Sequence, residues 1–502
     1  MVDSAPLSGQ RPCRVDVAII GGGMVGASLA LGLRGVGVDV LLVEGVTPGA
    51  DAQPSFDDRT TALGNASRRI FESLGVWEDI APQAAAIRTI HVSDAGRFGF
   101  ARLRAEEQGI DAFGYVVANR VIGKALWRRL SEYPPAPTHM RSRESNGIAV
   151  RVPAKPEGVE ITADGVKFTC VSDVSGRREH PPAPAHMRSR ELVEARLVVA
   201  ADGAHSSVRA AAAIEADVED YDQIAIVANV AADCPHDGTA FERFTPSGPL
   251  AVLPLHDGSF GVIWTCHPQD AARVLSLPDD SYLRELQTRF GWRAGKFIRV
   301  GRRASYPLKL TRATETTATR TVLIGNAAQA LHPVAGQGFN LGLRDAAMLA
   351  EVIANAPEED VGTPELLQRF AQWRAADRGG VVGFTDGLVK LFGSSRPGVG
   401  ILRNLGLLMF DLAPPAKSAL ARVSAGFGGP TPRLARGLGV REGGGGPTVA
   451  RAHGVGAERA DVAVSGPEDA QSSAGAQTQA RDLGGAKDGV LEAAPDSSAG
   501  AS

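Results

Sequence analysis

The chain has 502 residues, 44% hydrophobic and 22% charged, with a net charge of −3. That is room for several domains with sizeable cores, and it carries none of the basic field that nucleic acid recognition needs. Its four cysteines, Cys13, Cys170, Cys234 and Cys266, form no CxxC pair, which argues against a disulfide framework or a zinc site and fits a reducing cytosol.

The opening "MVDSAPLSGQRPCR" lacks the apolar core of a signal peptide. No stretch approaches the ~18 uninterrupted apolar residues of a membrane span. We therefore expect a cytoplasmic protein that can touch a membrane without crossing it. "VDVAII" (15–20) and "DVLLVE" (39–44) are short β-branched runs flanking the Ala/Leu-rich "MVGASLALGLRG". This strand–helix–strand order predicts a parallel sheet buried on both faces. The turn "GGGMVG" sets Gly21, Gly23 and Gly26 in GxGxxG register. The first glycine permits the tight turn, the second admits a pyrophosphate, and the third lets helix and strand pack closely. Glu44, 18 residues past Gly26, ends the second strand, where an acid accepts hydrogen bonds from ribose hydroxyls. Strand, turn, helix and acid together predict dinucleotide binding; NAD and FAD share the fingerprint, so both stay open here.

Helical spacing recurs in "RRIFESLGVWEDI" (68–80) and "NRVIGKALWRRL" (119–130). "PPAPTHMRSRE" at 134–144 returns as "PPAPAHMRSRE" at 181–191, differing only at Thr138 versus Ala185. Two copies are too few for a solenoid, and a duplicated segment looping out of the domain is expected. "LVVAADGAHSSVR" (197–209) is an apolar strand ending in Asp202-Gly203, by itself only a turn. Strand-like pieces dominate from about Gln223 to Arg312, and within "ERFTPSGP" Arg243 faces either a pocket or the sheet surface.

"TVLIG" (321–325) is another buried strand, and "GNAAQALHPVAGQGFNLGLRD" follows as a glycine-rich bend into a helix starting near Asn340. Consecutive N–H groups at a helix start cradle an anion. Pro333, Gly336 and Gly338 would keep side chains clear of something flat and large; the alternative is a helix with a glycine-rich entry. Helical patterns continue to about Leu420. There "ILRNLGLLMFDL" (401–412) carries one apolar face, suited to core packing or to a membrane or partner. The tail is rich in Gly, Ala, Ser, Asp and Gln, without an aromatic residue from Gly443 on, and cannot offset its ordering entropy.

The three glycine-bearing motifs, in this order and at these separations, resemble those of the class A flavoprotein monooxygenases, the aromatic hydroxylases related to p-hydroxybenzoate hydroxylase. "GGGMVG" is similar to that family's FAD fingerprint, and "ADGAHSSVR" to its DG motif, associated with FAD and NAD(P)H. "GNAAQALHPVAGQGFNLGLRD" is similar to its third FAD motif, with Asn326 in place of the usual Asp and Gln329 in place of His. "DDRTTALGNASRRIFESLGVW", "FGYVVANRVIGKALW", "RFTPSGPLAVLPL" and "FTDGLVKLF" extend the resemblance to the ubiquinone-biosynthesis hydroxylases, in their 2-polyprenyl-6-methoxyphenol hydroxylase branch.

The resemblance implies a mixed α/β fold like p-hydroxybenzoate hydroxylase: an interrupted Rossmann-like FAD-binding domain, an antiparallel-sheet substrate domain and C-terminal helices. The FAD-binding parts would be 14–80, 119–133, 193–215 (the DG motif) and 313–358, with substrate-domain parts at 81–118 and 216–312. A strand region carrying the duplicated insertion would fill 134–192, a helical region 359–437 and a disordered tail 438–502. Glu44 would meet the adenosine ribose and Arg59 the pyrophosphate region, while Asn119 and Asn326 would lie near the ribityl chain. Asp202, Gly203 and Arg209 belong to the DG motif, Arg209 more as a structural or nicotinamide-related ion pair than as a catalyst. Gly325, Gly336, Gln337, Gly338 and Asn340 would hold the cofactor, with Pro333 to Asn340 beside the isoalloxazine. His332 could shuttle the phenol proton or only hydrogen-bond its loop.

The implied activity is hydroxylation of a polyprenyl-phenol of ubiquinone biosynthesis, with NAD(P)H reducing FAD and O2 forming a flavin C4a-hydroperoxide. N–H groups at 336–340 would stabilise charge on the reduced flavin. No metal is implied. Hydroxylation of a soluble aromatic, an NAD-dependent dehydrogenase and a non-catalytic flavin-binding scaffold are the rival readings.

Overall fold

The computed structural model describes residues 11–49, 59–132, 147–173, 188–332, 336–356 and 360–393, then 409, 413, 417, 418, 422, 425, 426, 429 and 431–441. Pro333, the whole first repeat copy and residues 181–187 of the second, the stretch 401–412 apart from Met409, and the tail beyond 441 lie outside the described residues.

Strand β1 (Cys13–Ile20), helix α1 (Met24–Gly32) and strand β2 (Val40–Val43) form the first unit. Strand β1 pairs in parallel with β2 and with Arg188–Ala200. Ile148–Arg151 adds in parallel to β2, and Thr321–Leu323 to Arg188–Ala200. Both faces of this sheet are covered. Val17 and Ile19 pack into one core with Leu29, Leu343 and Leu349, while Ala18 and Ile20 pack into another with Phe168 and Val208. Burial on both sides is why the run is apolar at every position instead of alternating.

An antiparallel wing extends the sheet: Val166–Asp173 pairs with Ala154–Ile161 and with Arg188–Ala195. This corrects part of the loop expectation. Arg188–Glu191, the end of the second repeat copy, are strand residues, held by cross-strand pairing and by the forked Arg151–Glu191 ion pair at 2.9 and 3.2 Å.

The second large sheet has nine strands and is antiparallel except where Thr239–Thr245 runs parallel to Thr89–Asp94. One face packs on helices Pro268–Ser276 and Asp279–Phe290. The strand-rich reading of 223–312 missed both. Their signal is Ala271 and Val274, then Tyr282, Leu283, Leu286 and Phe290, buried at helical spacing, with proline opening the first helix. The opposite face turns toward the parallel-sheet half. A Cβ on Gly261 would sit 3.3 Å from Thr60 Oγ1, and Ala240 packs with Ala85, Ile87, Phe113 and Val116. Thr60–Gly64, Gly114–Ala118 and Ala85–Ile87 form the small three-stranded sheet between the two.

The helical run 68–80 is two helices, Asn65–Ser73 and Trp77–Ile80, parted at Gly75, whose φ of +70° no helix accepts. Helix Gln337–Ala354 starts three residues earlier than expected, capped by Gly336 at φ +60°. Pro364–Gly393 packs against it.

Candidate active site

The turn after β1 is built on distances too short for side chains. A Cβ on Gly21 (φ +104°) would stand 2.4 Å from the Ala201 carbonyl oxygen and 2.7 Å from Asp202 N. One on Gly26 would stand 1.9 Å from the carbonyl oxygen of Gly21. The first motif thus rests directly on the Asp202-Gly203 turn. Gly23 caps α1 in extended backbone and accepts the Ala27 N–H at 2.9 Å. Glu44 accepts the Gly22 N–H at Oε2 (2.6 Å) and the Val46 N–H at Oε1 (2.8 Å), which fixes its carboxylate at the end of β2 with a lone pair left on each oxygen. Trp127, which sequence reading passed over, donates its indole N–H to the Gly22 carbonyl at 3.0 Å.

Asp202 Oδ2 accepts the N–H and hydroxyl of Ser207, while Oδ1 is a buried acceptor with no hydrogen-bond partner among the described residues. Gly203, at φ +89°, has open space where a Cβ would point. Arg209 donates to the Ala204 carbonyl at 2.7 Å and to the Ala327 carbonyl at 2.9 Å. It ties the second motif to the third through carbonyls, not through a carboxylate.

The third motif closes on the first. A Cβ on Gly325 (φ +58°) would meet the side chain of Val25 at 3.2 Å, and one on Gly342 would lie 2.9 Å from Gly325 Cα. Asn326 sits exposed in the 3₁₀ turn Gly325–Ala327. Gln337 is buried and Gly338 half-buried at the start of the long helix. Asn340 uses its whole amide within the protein: Oδ1 accepts Gly64 N–H and Ser67 O–H, and Nδ2 donates to the carbonyls of Ala62 and Gly336. It staples this helix start to strand Thr60–Gly64. Asn119 accepts the Thr61 hydroxyl at 2.7 Å on that same strand, and Arg59 lies 4.8 Å from the Tyr306 ring centroid on the large sheet.

Behind the third motif lies an ion network that sequence reading missed. Arg374 Nε meets Asp345 Oδ1 at 2.7 Å, its Nη1 bonds Asp377, and Arg344 Nε meets Asp377 Oδ2 at 2.8 Å. All four residues are buried, Arg374 completely. Burial pushes the Asp377 carboxyl up, but the two guanidiniums outweigh it and hold it below the usual carboxylate range. Asp345 Oδ2 accepts the Gly325 N–H (3.1 Å) and the Gln329 amide (2.8 Å), and Arg378 donates to Gln329 Oε1. Gln329 is thereby a bridge: it accepts from a cation and donates to an anion at once, which its amide allows.

His332 is 2% exposed, with Nε2 3.2 Å from Gln223 Oε1 and the Tyr221 ring edge-on at 5.2 Å. The sheet pairing skips from Asp220 to Gln223, with Asp222 at φ +51°, and this bulge brings Tyr221 and Gln223 to the histidine. Burial depresses the His332 pKa to about 4. The imidazole is therefore neutral through the physiological range and donates from Nε2 to Gln223 Oε1.

A lowered histidine pKa means that the unfolded chain binds the proton first. Stability is accordingly lost as pH falls from the unfolded value near 6.5 toward 4. His332→Gln is expected to remove up to about 3 kcal/mol of that acid destabilisation, read from urea unfolding at pH 7 and pH 4.5. An unchanged pH slope would place the charge elsewhere.

Arg243 faces away from the parallel-sheet half. It lies on the helix face of the large sheet and donates to the Arg289 carbonyl at 3.0 Å. Among the described residues no group of His, Cys, Asp or Glu could hold a metal ion.

The family model for the FAD binding domain matches residues 14–384. This chain belongs to that family. It is 35% identical over 441 residues to ubiquinone hydroxylase UbiL of Rhodospirillum rubrum, covering 87% of this chain and 96% of that protein. It is 29% identical to the 3-demethoxyubiquinol 3-hydroxylase of Escherichia coli, covering 79% and 95%. Of the solved structures, p-nitrophenol 4-monooxygenase PnpA of Pseudomonas putida superimposes with a TM-score of 0.64 over 83% of this chain and 99% of that one; at 20% identity this is a likeness of fold.

The enzyme is an FAD-dependent aromatic monooxygenase of the ubiquinone-hydroxylase family. Its residues fit the cofactor: glycines stripped of side chains where backbone must approach, a buried acceptor at Asp202 Oδ1 left for a hydroxyl, and Glu44 with lone pairs to spare.

Proposed function

We propose that this enzyme hydroxylates the aromatic ring of a polyprenyl-phenol on the route to ubiquinone, with NAD(P)H as electron donor and O2 as the oxygen source. The observation that carries the reading is the meeting of three glycine turns, near residues 21, 202 and 325. The relatives named for ubiquinone chemistry support the substrate class.

The bound flavin supplies the redox chemistry and the activated oxygen. This chain's part is to hold and to exclude. We assign Gly21, Gly23 and Gly26 to the pyrophosphate, Glu44 to the adenosine ribose, and Asp202 with its orphaned oxygen to a cofactor hydroxyl. Asn119 and Asn326 are assigned near the ribityl chain, and Gly336–Gly338 beside the ring system, where helix N–H groups oppose developing negative charge. Asn340 sets the angle of that helix start instead of touching the cofactor.

No described helix is long and apolar enough to cross a membrane. A prenyl tail must nonetheless leave a bilayer, so we place the enzyme peripherally at a membrane surface. The test is aerobic incubation of the flavin-loaded enzyme with NAD(P)H and 2-geranylphenol. Substrate-stimulated NAD(P)H oxidation with a ring-hydroxylated product is expected. Oxidation without product, or turnover confined to water-soluble phenols, would sink the assignment.

A further inference from the structure

Strand Thr239–Thr245 alternates between two environments. Phe241 meets the Phe290 ring at 5.4 Å and Arg243 bonds the Arg289 carbonyl, so both face the helices. Ala240 and Glu242 therefore face the other way, toward the cofactor-binding half, as Ala240's packing with Ile87 and Val116 shows. On that face the cross-strand neighbours of Glu242 are Val92 and Ala251, with Ile263 and Val227 beyond. A carboxyl is set in an aliphatic row.

It has no hydrogen bond or ion pair among the described residues, and the described charged groups around it are engaged with other partners. In the next row Asp94 pairs with Arg97 at 3.5 Å. Across the sheet Arg59 lies over Tyr306, and the facing strand Thr60–Gly64 carries no charged residue. On helix Pro364–Gly393, which packs against this strand and its neighbour, Arg374 and Asp377 belong to the ion network and Arg378 holds Gln329. Farther along, Asp386 and Lys390 pair with each other and with Tyr221 and Glu219.

Glu242 nevertheless keeps accessible surface while burial alone pushes its carboxyl up to about 7. Glu242 is thus half-buried on an aliphatic sheet face, with its carboxyl open to a partner. Apolar walls with one acid match a greasy ring bearing one hydroxyl.

We propose that Glu242 is the polar anchor of the substrate pocket, its carboxylate accepting the hydroxyl of the phenol and taking its proton as the ring is oxygenated. The assignment rests on the aromatic-hydroxylase reading above. In this step the phenol O–H bond breaks and a carboxyl O–H bond forms. The oxygen's electron pair stays with the phenolate and enriches the ring for attack. No oxidant is consumed in the transfer itself, and the proton returns when the product hydroxyl is released.

The test compares 2-geranylphenol with its methyl ether, which keeps the tail and loses the proton. Binding is read from perturbation of the flavin spectrum between pH 6 and 9. The wild-type enzyme is expected to favour the phenol about tenfold at pH 8 and to lose that preference as the carboxylate protonates below 7. Glu242→Gln should shrink the preference to under about threefold at every pH, and Glu242→Asp should restore part of it.

As a check that the carboxyl is buried, Glu242→Gln should raise the melting temperature at pH 8.5, where the wild type must ionise inside, and leave it level at pH 5. A preference that survives in Glu242→Gln, or equal melting shifts at both pH values, overturns the proposal. If the wild type binds 2-geranylphenol without hydroxylating it, the functional reading has failed instead.

Discussion

Gly26→Ala is expected to give protein with no flavin band at ~450 nm and no NAD(P)H oxidation. The new methyl would sit 1.9 Å from the Gly21 carbonyl oxygen, which is backbone and cannot swing aside. Helix α1 must therefore lift off the turn or the turn must open. The same peptide is locked from the other side, because Gly21 N–H bonds the Val43 carbonyl at 2.8 Å and its Cα faces Ala201 at a distance no Cβ tolerates. Displacing Gly21 consequently disturbs the seat of Asp202 as well. Absorbance of the purified variant and flavin titration of the apo-protein are the measurements. Normal occupancy would mean that the pyrophosphate binds away from this turn.

Arg374→Ala is expected to destabilise the fold by about 3–5 kcal/mol, the cost of leaving buried carboxylates without their partner. Arg374 is 0% exposed and serves both Asp345 and Asp377. Burial disfavours its charge, yet the two carboxylates outweigh that and raise its pKa above the ordinary arginine value. Without it, Asp345 loses its cation, and the grip of Asp345 on the Gly325 N–H and on Gln329 loosens with it. Flavin affinity should therefore fall along with stability. Urea midpoints with and without added FAD separate the two effects. A loss below about 1 kcal/mol would show the network to be no better than an exposed pair.

The nucleotide turn was legible because its chemistry is local: a strand, three glycines, a helix and an acid lie within 15–44, and each obeys a short-range rule. The three-motif likeness extended this to the antiparallel second sheet and the cofactor. Gln329 stood out in the sequence only as a departure from the usual histidine. Its meaning lies in Asp345 and Arg378, 16 and 49 residues away, which no spacing rule connects. Arg374 and Asp377 stand i,i+3 in the sequence, a spacing that exposed helix pairs share, and only tertiary packing buries them. Asn340 carries a cofactor role only through the family resemblance, while the four partners of its side-chain amide come from residues 62 to 67 and 336. At 242–243 a one-residue step decides everything: strand period two sets the arginine against the helices and the glutamate on the opposite face of the sheet.

The segments that meet around Gly325 also impose an order on biosynthesis. Residues 21 and 202 emerge early, but the carbonyl that Arg209 holds is Ala327, and the cations that brace that turn are Arg374 and Arg378. On the flavin placement proposed above, any chain released or arrested before residue 378 lacks part of the prosthetic-group seat, however well its first half has folded. Loading with the vitamin-derived cofactor is thus expected late in synthesis, and early termination products are expected to be colourless.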